Sequence, residues 1–199
     1  ELKEKDSENF KENLKIINSQ IKQIEKLVNE FSDFARMPKP IFQKNNLVKL
    51  IEDNIKLLKE LDNSIEIIFS KNSDKILIDC DKEQISRVFF NLIKNSIESI
   101  HQKHEKTSDF NKKISIEVVD FNDHINISIV DTGIGFDDIK SNIKDILSPY
   151  FTTKKNGTGL GLSIVNKIIN DHNGNIDFIP IKSGAKIKII FSKSWVLKF

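Results

Sequence analysis

The 199-residue sequence predicts an α+β fold, a mixed β-sheet with helices on one face that follows one long coiled-coil-like helix. Apolar residues recur at alternating spacings of three and four through the first 35 residues, as in a long helix with an apolar seam. Short β-branched runs follow in pairs, and segments of helical periodicity lie between them. Strands and helices mixed in this way bury their apolar faces as a sheet covered by helices.

The long helix is predicted from about Asp6 to Ala35 and would measure about 45 Å at 1.5 Å per residue. Heptad spacing over such a length indicates a partner helix, although packing of this helix on its own domain is the alternative. The prolines of Arg36-Met37-Pro38-Lys39-Pro40 end the helix. We therefore predict a domain boundary here, with domains at 1–38 and 39–199. The seam residues are Phe10, Leu14, Ile17, Ile21, Ile24, Leu27 or Val28, Phe31 and Phe34.

Shorter elements follow the boundary. Ile41-Phe42 is predicted as a short strand, and Asn46 as the cap of an amphipathic helix that begins at Leu47. Asp81, with Gln84 three residues later, approximates a capping box and begins the next helix. We expect six strands to pair two by two in chain order, the first two as a hairpin. Their patterns cover 65–69, 75–79, 114–119, 125–130, 175–179 and 185–191.

The helix that begins after Asp81 carries Asn91, Asn95 and Ser99 at every fourth position, so these side chains share one face. The opposite face, with Val88 and Leu92, is apolar. A carboxamide oxygen is a hard, neutral ligand. It suits a magnesium ion that keeps most of its waters and is held chiefly by nucleotide phosphates.

Two glycine-rich turns lie downstream. The motif DTGIGF follows a strand pattern, so Asp131 lies at a strand end, and Gly133 and Gly135 free the backbone beyond it. A carboxylate there can accept a hydrogen bond from an amine. The motif NGTGLGLSI leads into a helical pattern, so the amides of 157–162 lie at a helix N-terminus, which attracts phosphate. GxGxG strings also occur in plain turns and in dinucleotide-binding folds, so this motif is weak by itself.

The motifs NLIKNSIES, DTGIGF, PYFTTK and GTGLGL, in this order, resemble the N, G1, F and G2 boxes of the ATP-binding domain of sensor histidine kinases. The resemblance covers roughly 41–191 and implies the Bergerat fold, with ATP and Mg²⁺ between the sheet, the asparagine helix and a lid. It implies that Asn95 holds the metal and that Asp131 reads the adenine amine. The catalytic residues would be Asn91, Asn95 and Lys154. The nucleotide-binding residues would be Asn91, Asn95, Asp131, Gly133, Gly135, Phe151, Thr152, Lys154, Gly157, Thr158, Gly159, Leu160, Gly161 and Leu162.

The segment VNEFSDFARMPKP resembles the end of the second dimerisation helix in nitrogen-regulation kinases of the NtrY type. This resemblance implies that 1–38 is the truncated second helix of a dimerisation and phosphoacceptor domain, that 39–199 is the catalytic ATP-binding domain, and that a homodimer forms through residues 6–35. The phosphoaccepting histidine of such kinases stands on the preceding helix. Because the first histidine here is His101, we expect the acceptor to lie outside this chain. The implied partner is a response regulator with an NtrX-like receiver domain.

Other functional classes share this nucleotide site. Clamp ATPases of the gyrase and chaperone type carry a water-activating glutamate four residues before the magnesium asparagine, where this chain has Asn91. An amide is no general base at neutral pH, which favours a kinase over an ATPase. A serine kinase and a non-catalytic nucleotide-binding scaffold are further alternatives. Glu98 departs from the pattern of the family that the chain resembles, because many histidine kinases have a lysine or arginine at that position.

Charge, hydropathy, the cysteine and the histidines say less about the function than the motifs do. A net charge of +2, with lysines interspersed among acids, does not indicate nucleic acid binding. The sequence has no run of about 20 apolar residues, so we expect no membrane contact and a cytoplasmic fragment of a protein anchored in the bacterial inner membrane. Cys80 reads as a small buried residue. His101 and His104 read as a frayed helix end, and His124 and His172 as turn residues. Residues 138–157 are expected to form a lid that closes on phosphate.

Overall fold

The computed structural model describes residues 2–107, 109–136, 143–152, 154 and 157–193. A long helix precedes an α+β domain, as the sequence predicts. The elements in chain order are α1 (Leu2–Ala35), β1 (Gln43–Asn46), α2 (Leu47–Leu61), β2 (Glu66–Lys71), β3 (Leu77–Cys80), α3 (Lys82–Lys106), β4 (Lys113–Asp120), β5 (His124–Asp131), a short 3-10 helix (Ile143–Leu147), α4 (Gly161–Asp171), β6 (Gly174–Pro180) and β7 (Ala185–Ser192).

Five strands form the main sheet in the order β2-β4-β5-β7-β6. β2 is parallel to β4 and the other neighbours are antiparallel, which confirms the predicted mixed sheet. Alternate residues of the central strand β5 are buried, namely Ile125, Ile127 and Ile129, because successive side chains of a strand point to opposite faces. They belong to one hydrophobic core with the apolar faces of α2, α3 and α4.

Two of the three predicted strand pairs are confirmed, β4 with β5 and β6 with β7. The predicted hairpin at 65–69 and 75–79 is wrong. β2 pairs with β4, and β3 pairs with β1 in a separate two-stranded sheet. Polar side chains at the ends of the two strands bond to these partners: Asn72 bonds to the backbone of Asp120 at the end of β4, and Asn46 accepts the N–H of Ile76. The strand predicted at Ile41-Phe42 is also misplaced, since pairing begins at Gln43.

α1 is one continuous helix of 34 residues. Phe10, Ile17 and Ile24 on its seam are 63%, 53% and 62% exposed, so this stretch does not pack on its own domain. The helix reaches the core near its C-terminal end, where Phe34 packs against buried residues. Pairing of α1 with another helix stays a prediction, as does the division into domains. Within the described ranges, no helix has both the length and the apolar character needed to cross a membrane.

The predicted caps begin α2 and α3. The side-chain oxygen of Asn46 accepts the N–H of Val48 at 3.2 Å. One carboxylate oxygen of Asp81 accepts the N–H groups of Glu83 and Gln84 at 3.0 and 3.1 Å. Gln84 does not complete the predicted capping box, because the N–H of Asp81 donates to His172 instead, and the Gln84 amide nitrogen donates to the carbonyl of Pro38.

The histidines have structural partners. His172 ends α4, and its Nε2 accepts the N–H of Asp81 at 3.0 Å. In a capping box, the side-chain oxygen of Gln84 would have accepted this N–H. His101 is not in a frayed end, because α3 continues to Lys106 and Nε2 of His101 lies 2.6 Å from Oδ2 of Asp62. His124 is the first residue of β5 rather than a turn residue. Cys80 is buried, as predicted.

Candidate functional site

A cavity of about 220 Å³ lies between α3, the end of β5, the start of α4 and the ends of β6 and β7. This volume is below the roughly 300–1,000 Å³ of pockets that hold drug-sized ligands, so a larger ligand requires side chains at the rim to move. The cavity is lined by Glu30, Asn91, Lys94, Asn95, Ser96, Glu98, Ser99, Gln102, Asp131, Ile134, Gly135, Phe136, Ile146, Phe151, Thr152, Lys154, Gly157, Thr158, Gly159, Gly161, Leu162, Phe178, Ala185 and Ile187.

α3 forms one wall of the cavity. Asn91, Asn95 and Ser99 all line it, as their spacing of four predicts. Val88 and Leu92 on the other face are fully buried in the core, so the position of the polar face is set by the packing of the apolar one. The hydroxyl of Ser99 accepts the N–H of Ile134 at 3.1 Å, which joins α3 to the turn after β5.

Asp131 is the most deeply buried carboxylate of the cavity, with 3% of its surface exposed. Its Oδ1 accepts the N–H groups of Gly133 and Ala185 at 2.9 and 3.3 Å, and its Oδ2 accepts the hydroxyl of Ser96 at 3.1 Å. Burial raises the pKa of the Asp131 carboxyl, and these three hydrogen bonds lower it by a smaller amount. The carboxylate is therefore a fixed acceptor that faces the cavity.

Two glycines have conformations that other residues adopt only with strain. Gly135 has φ 73°, and a Cβ there would lie 2.4 Å from the carbonyl oxygen of Gly184. Gly159 has φ 71°, and a Cβ there would lie 2.3 Å from the carbonyl carbon of Tyr150. The N–H of Tyr150 donates to the carbonyl of Gly159 at 3.0 Å, so the PYFTTK segment and the second glycine motif are held close by their backbones. Tyr150 itself has φ 68°, which is rare for a residue with a side chain.

The segment 157–160 leads into α4, which begins at Gly161. In the part of the chain that is described, no side chain caps this helix N-terminus. Amides in the first turn of a helix carry partial positive charge and have no partner within the helix. This end of α4 is therefore suited to an anionic group in the adjoining cavity.

The positively charged ammonium of Lys154 contacts the face of α3 that carries Asn91 and Asn95. Its Nζ donates to Oδ1 of Asn95 at 3.0 Å and pairs with the carboxylate of Glu98. The Glu98 side chain also lies 3.9 Å from Nζ of Lys94, one turn earlier. The Lys154 side chain is 29% exposed, so the ammonium lies in the rim of the cavity rather than in bulk water.

Glu30 of α1 contacts the opposite rim. The hydroxyl of Thr158, within the glycine motif, donates to Oε2 of Glu30. The contact spans 128 residues of sequence and joins the long helix to the segment suited to an anion. Nothing in the local pattern around Glu30 distinguishes it from the other charged residues of α1, so sequence reasoning missed it.

Twelve of the fourteen predicted site residues line the cavity, and Gly133 and Leu160 do not. Gly133 lies behind it, close to Ser99, and Leu160 is fully buried in the core. Ser96, which the prediction missed, was detectable as one hydroxyl on the apolar face of α3, at a spacing of four from Leu92 and Ile100. Phe178 and Ile187 were not detectable, since strand alternation does not show which element they face. Of the predicted lid, residues 138–142, 153, 155 and 156 lie outside the described residues.

The oxygen atoms present suit a hard cation. Oδ1 of Asn95 and a carboxylate oxygen of Glu98 both contact the Lys154 ammonium, so two oxygens converge on one positive charge. In the described ranges, no group of three His, Cys, Asp or Glu side chains could hold a metal ion. A magnesium ion in this cavity would therefore take few protein ligands and draw the rest from phosphate and water.

The profile of the family described as histidine kinase-, DNA gyrase B- and HSP90-like ATPases matches residues 80–194. The chain is 36% identical over 192 residues to a Rickettsia felis protein named for its similarity to the sensor histidine kinase NtrY, a match that covers 96% of this chain and 30% of that protein. It is 30% identical over 187 residues to the nitrogen regulation protein NtrY of Azorhizobium caulinodans, covering 92% and 24%. The chain thus spans at most 30% of the length of these curated relatives.

Solved structures share the fold. The nucleotide-free catalytic domain of the histidine kinase ThkA is 29% identical with a TM-score of 0.64, over 77% of this chain and 96% of that chain. ThkA in complex with the response regulator protein TrrA is 25% identical with a TM-score of 0.72, over 92% of this chain and 51% of that chain.

Proposed function

The chain belongs to the family of histidine kinase-, DNA gyrase B- and HSP90-like ATPases, and within that family we propose that it is the ATP-binding catalytic region of a sensor histidine kinase. The γ-phosphate of ATP is transferred to a histidine outside these 199 residues and from there to an aspartate of a response regulator. The resemblance of α1 and its boundary to nitrogen-regulation kinases supports an NtrY-like member, as does the identity to the two NtrY-type relatives.

One observation carries the proposal: a buried acceptor, an oxygen pair with a cation, and an uncapped helix N-terminus converge on the same cavity. Asp131 has the hydrogen-bonding character that an adenine amine needs. The N-terminus of α4 has the charge that phosphates need. Asn95 of α3 lines the same cavity and has the oxygen that a magnesium ion needs.

Each residue then has a role in binding and orientation. Asp131 accepts the amine of the base, and the amides of 157–162 bind the phosphates. Lys154 neutralises phosphate charge, and Asn95 holds Mg²⁺. The metal supplies positive charge that draws electron density from the transferred phosphoryl group. The proposal thus assigns positioning and charge neutralisation to the protein, which are the main tasks in phosphoryl transfer.

Asn91 favours transfer over hydrolysis. It lines the cavity at the position where clamp ATPases carry a water-activating glutamate. Among the described residues, the two carboxylates that line the cavity besides Asp131 are engaged, Glu98 with Lys154 and Glu30 with Thr158. These contacts argue against a clamp-type ATPase. The identity to NtrY-type sensor histidine kinases makes a serine kinase and a scaffold without transfer activity the less favoured alternatives.

We further propose that α1 pairs with a second copy of the chain. Its seam residues are exposed over a length of about three heptads, and apolar residues at heptad spacing gain most when they meet the same seam of another helix. A response regulator is the proposed partner, supported by the complex of ThkA with the response regulator protein TrrA. We propose an NtrX-like receiver domain for it because the chain resembles NtrY-type kinases. The region would act in the cytoplasm, within a protein anchored in the inner membrane.

Incubation with γ-³²P-ATP tests the proposed function. We expect the 199-residue chain to bind ATP without releasing phosphate and without labelling itself. The longer protein, with the helix that precedes this region, is expected to gain an acid-labile phosphohistidine and to pass it to a receiver aspartate. Rapid phosphate release from the short chain would indicate a clamp ATPase instead, and acid-stable label on serine or threonine would indicate a serine kinase.

A further inference from the structure

Glu98 lies beside Asn95 on α3, and its carboxylate is the negative charge nearest to that amide in the described cavity lining. The two side chains are three residues apart on α3 and therefore point to the same side of the helix. Both contact one cation, the ammonium of Lys154. No other lysine of the described residues donates to Asn95.

We propose that Glu98 and Asn95 together form the divalent-cation site of the cavity, and that the Lys154 ammonium occupies this site until the metal and its nucleotide arrive. The inference rests on the proposed function, because it assigns the ligands of the metal that accompanies ATP. It adds a charged protein ligand to the single neutral one that the sequence motif implies.

The chemistry of the pair supports a metal site. Magnesium prefers oxygen ligands, and in nucleotide sites it is bound by one or two carboxylates together with phosphates. Asn95 supplies a neutral oxygen and Glu98 a charged one, and both already lie around a point of positive charge. The Glu98 side chain is 38% exposed, so its carboxylate can turn towards a hydrated ion without disturbing the core.

Metal and ammonium cannot share the two oxygens, because two cations at contact distance repel each other. Binding of the metal therefore releases Lys154 from Glu98. The backbone around Lys154 is held in a turn: its N–H donates to the hydroxyl of Thr152 at 3.1 Å, and its carbonyl accepts the N–H of Gly157 at 3.2 Å. A rotation of the side chain alone can thus move the ammonium from Glu98 towards the phosphates.

A simpler role for Glu98 is to anchor Lys154 and nothing more. The two roles differ when Lys154 is absent. If Glu98 binds the metal, Glu98→Gln weakens the response to Mg²⁺ even in a Lys154→Gln background. If Glu98 only anchors the lysine, its substitution has no effect in that background. A double-mutant cycle separates the two roles.

The experiment measures binding of a fluorescent, non-hydrolysable ATP analogue over a series of Mg²⁺ concentrations, and repeats it with Mn²⁺ observed by electron paramagnetic resonance. We expect Glu98→Gln to raise the half-saturating Mg²⁺ concentration about tenfold, in the parent and in Lys154→Gln. Glu105→Gln makes the same charge change on an exposed side chain of α3 and is expected to have no effect. Thermal unfolding checks that each variant is folded.

The outcomes separate this inference from the proposed function. If the parent binds the ATP analogue with a clear Mg²⁺ dependence and Glu98→Gln shows the same dependence, Glu98 is not a ligand and only the inference fails. The inference also fails if the effect of Glu98→Gln disappears in Lys154→Gln. If the parent binds no ATP analogue at any Mg²⁺ concentration, the proposed function fails as well.

Discussion

Replacement of Asp131 by Asn tests the base-binding end of the cavity. Oδ1 of the aspartate accepts two backbone N–H groups, Oδ2 accepts the Ser96 hydroxyl, and the residue lines the cavity. The amide oxygen of Asn can keep the two N–H bonds, and the Ser96 hydroxyl can rotate to accept from the new amide. Because the substitution also removes a buried charge, we expect the free energy of unfolding to change by less than about 1 kcal/mol.

The substitution is expected to weaken the binding of ATP rather than the stability of the fold. An adenine amine that donates to a carboxylate gains about 1.5–3 kcal/mol, and in Asp131→Asn it would meet another donor. The affinity for ATP should therefore fall roughly ten- to a hundredfold. Guanine carries an acceptor where adenine carries the amine, so the preference for ATP over GTP should shrink at the same time.

Isothermal titration with ATP and GTP, for the parent, Asp131→Asn and Ser96→Ala, measures both effects. Ser96→Ala removes a hydrogen bond to Oδ2 but leaves the carboxylate, so it is expected to keep the preference for ATP. A parent protein that binds GTP as tightly as ATP would refute the assignment of Asp131. An unchanged preference in Asp131→Asn would refute it as well.

Two further predictions concern residues outside the motifs. Glu30→Gln removes a negative charge next to Thr158, where phosphate is expected, and should tighten ATP binding about fivefold by relieving a repulsion of about 1 kcal/mol. The exposed Glu25→Gln on the same helix is the control, and equal affinities in all three proteins would contradict a role for Glu30. His172 is neutral in the folded protein, because Nε2 accepts the N–H of Asp81 while Nδ1 donates to the carbonyl of Ile168 at 2.8 Å. Burial lowers its pKa below the ordinary 6.5, so the free energy of unfolding should fall as the pH drops from about 6.5 through the folded-state pKa, and stay level with respect to His172 above 6.5. Urea unfolding at pH 8, 6 and 5 measures this, and an equally steep fall in His172→Gln would show that His172 is not its source.

The sequence predicted well those features that depend on neighbours in the chain. β4 and β5 are joined by a short turn, as are β6 and β7, so the nearest partner in sequence is also the partner in space. β2 and β3 are separated by only five residues, yet they join different sheets, and Asn72 and Asn46 bond their ends to other elements. Alternation of apolar residues determines which face of a strand is buried, but it carries no information about which strand lies beside it.

The same distinction between local pattern and tertiary packing applies to the candidate site. Periodicity alone put Asn91, Asn95 and Ser99 on one face of α3, and the glycine motifs marked the turn after β5 and the start of α4. The tertiary structure decided that Lys154 pairs with Glu98, that Glu30 of α1 reaches Thr158, and that His172 caps α3 across 91 residues of sequence. The sequence by itself therefore determined which side chains share a face, because that depends on the local geometry of a helix or strand. Only the tertiary structure decided which faces meet, because that depends on packing between elements far apart in the chain.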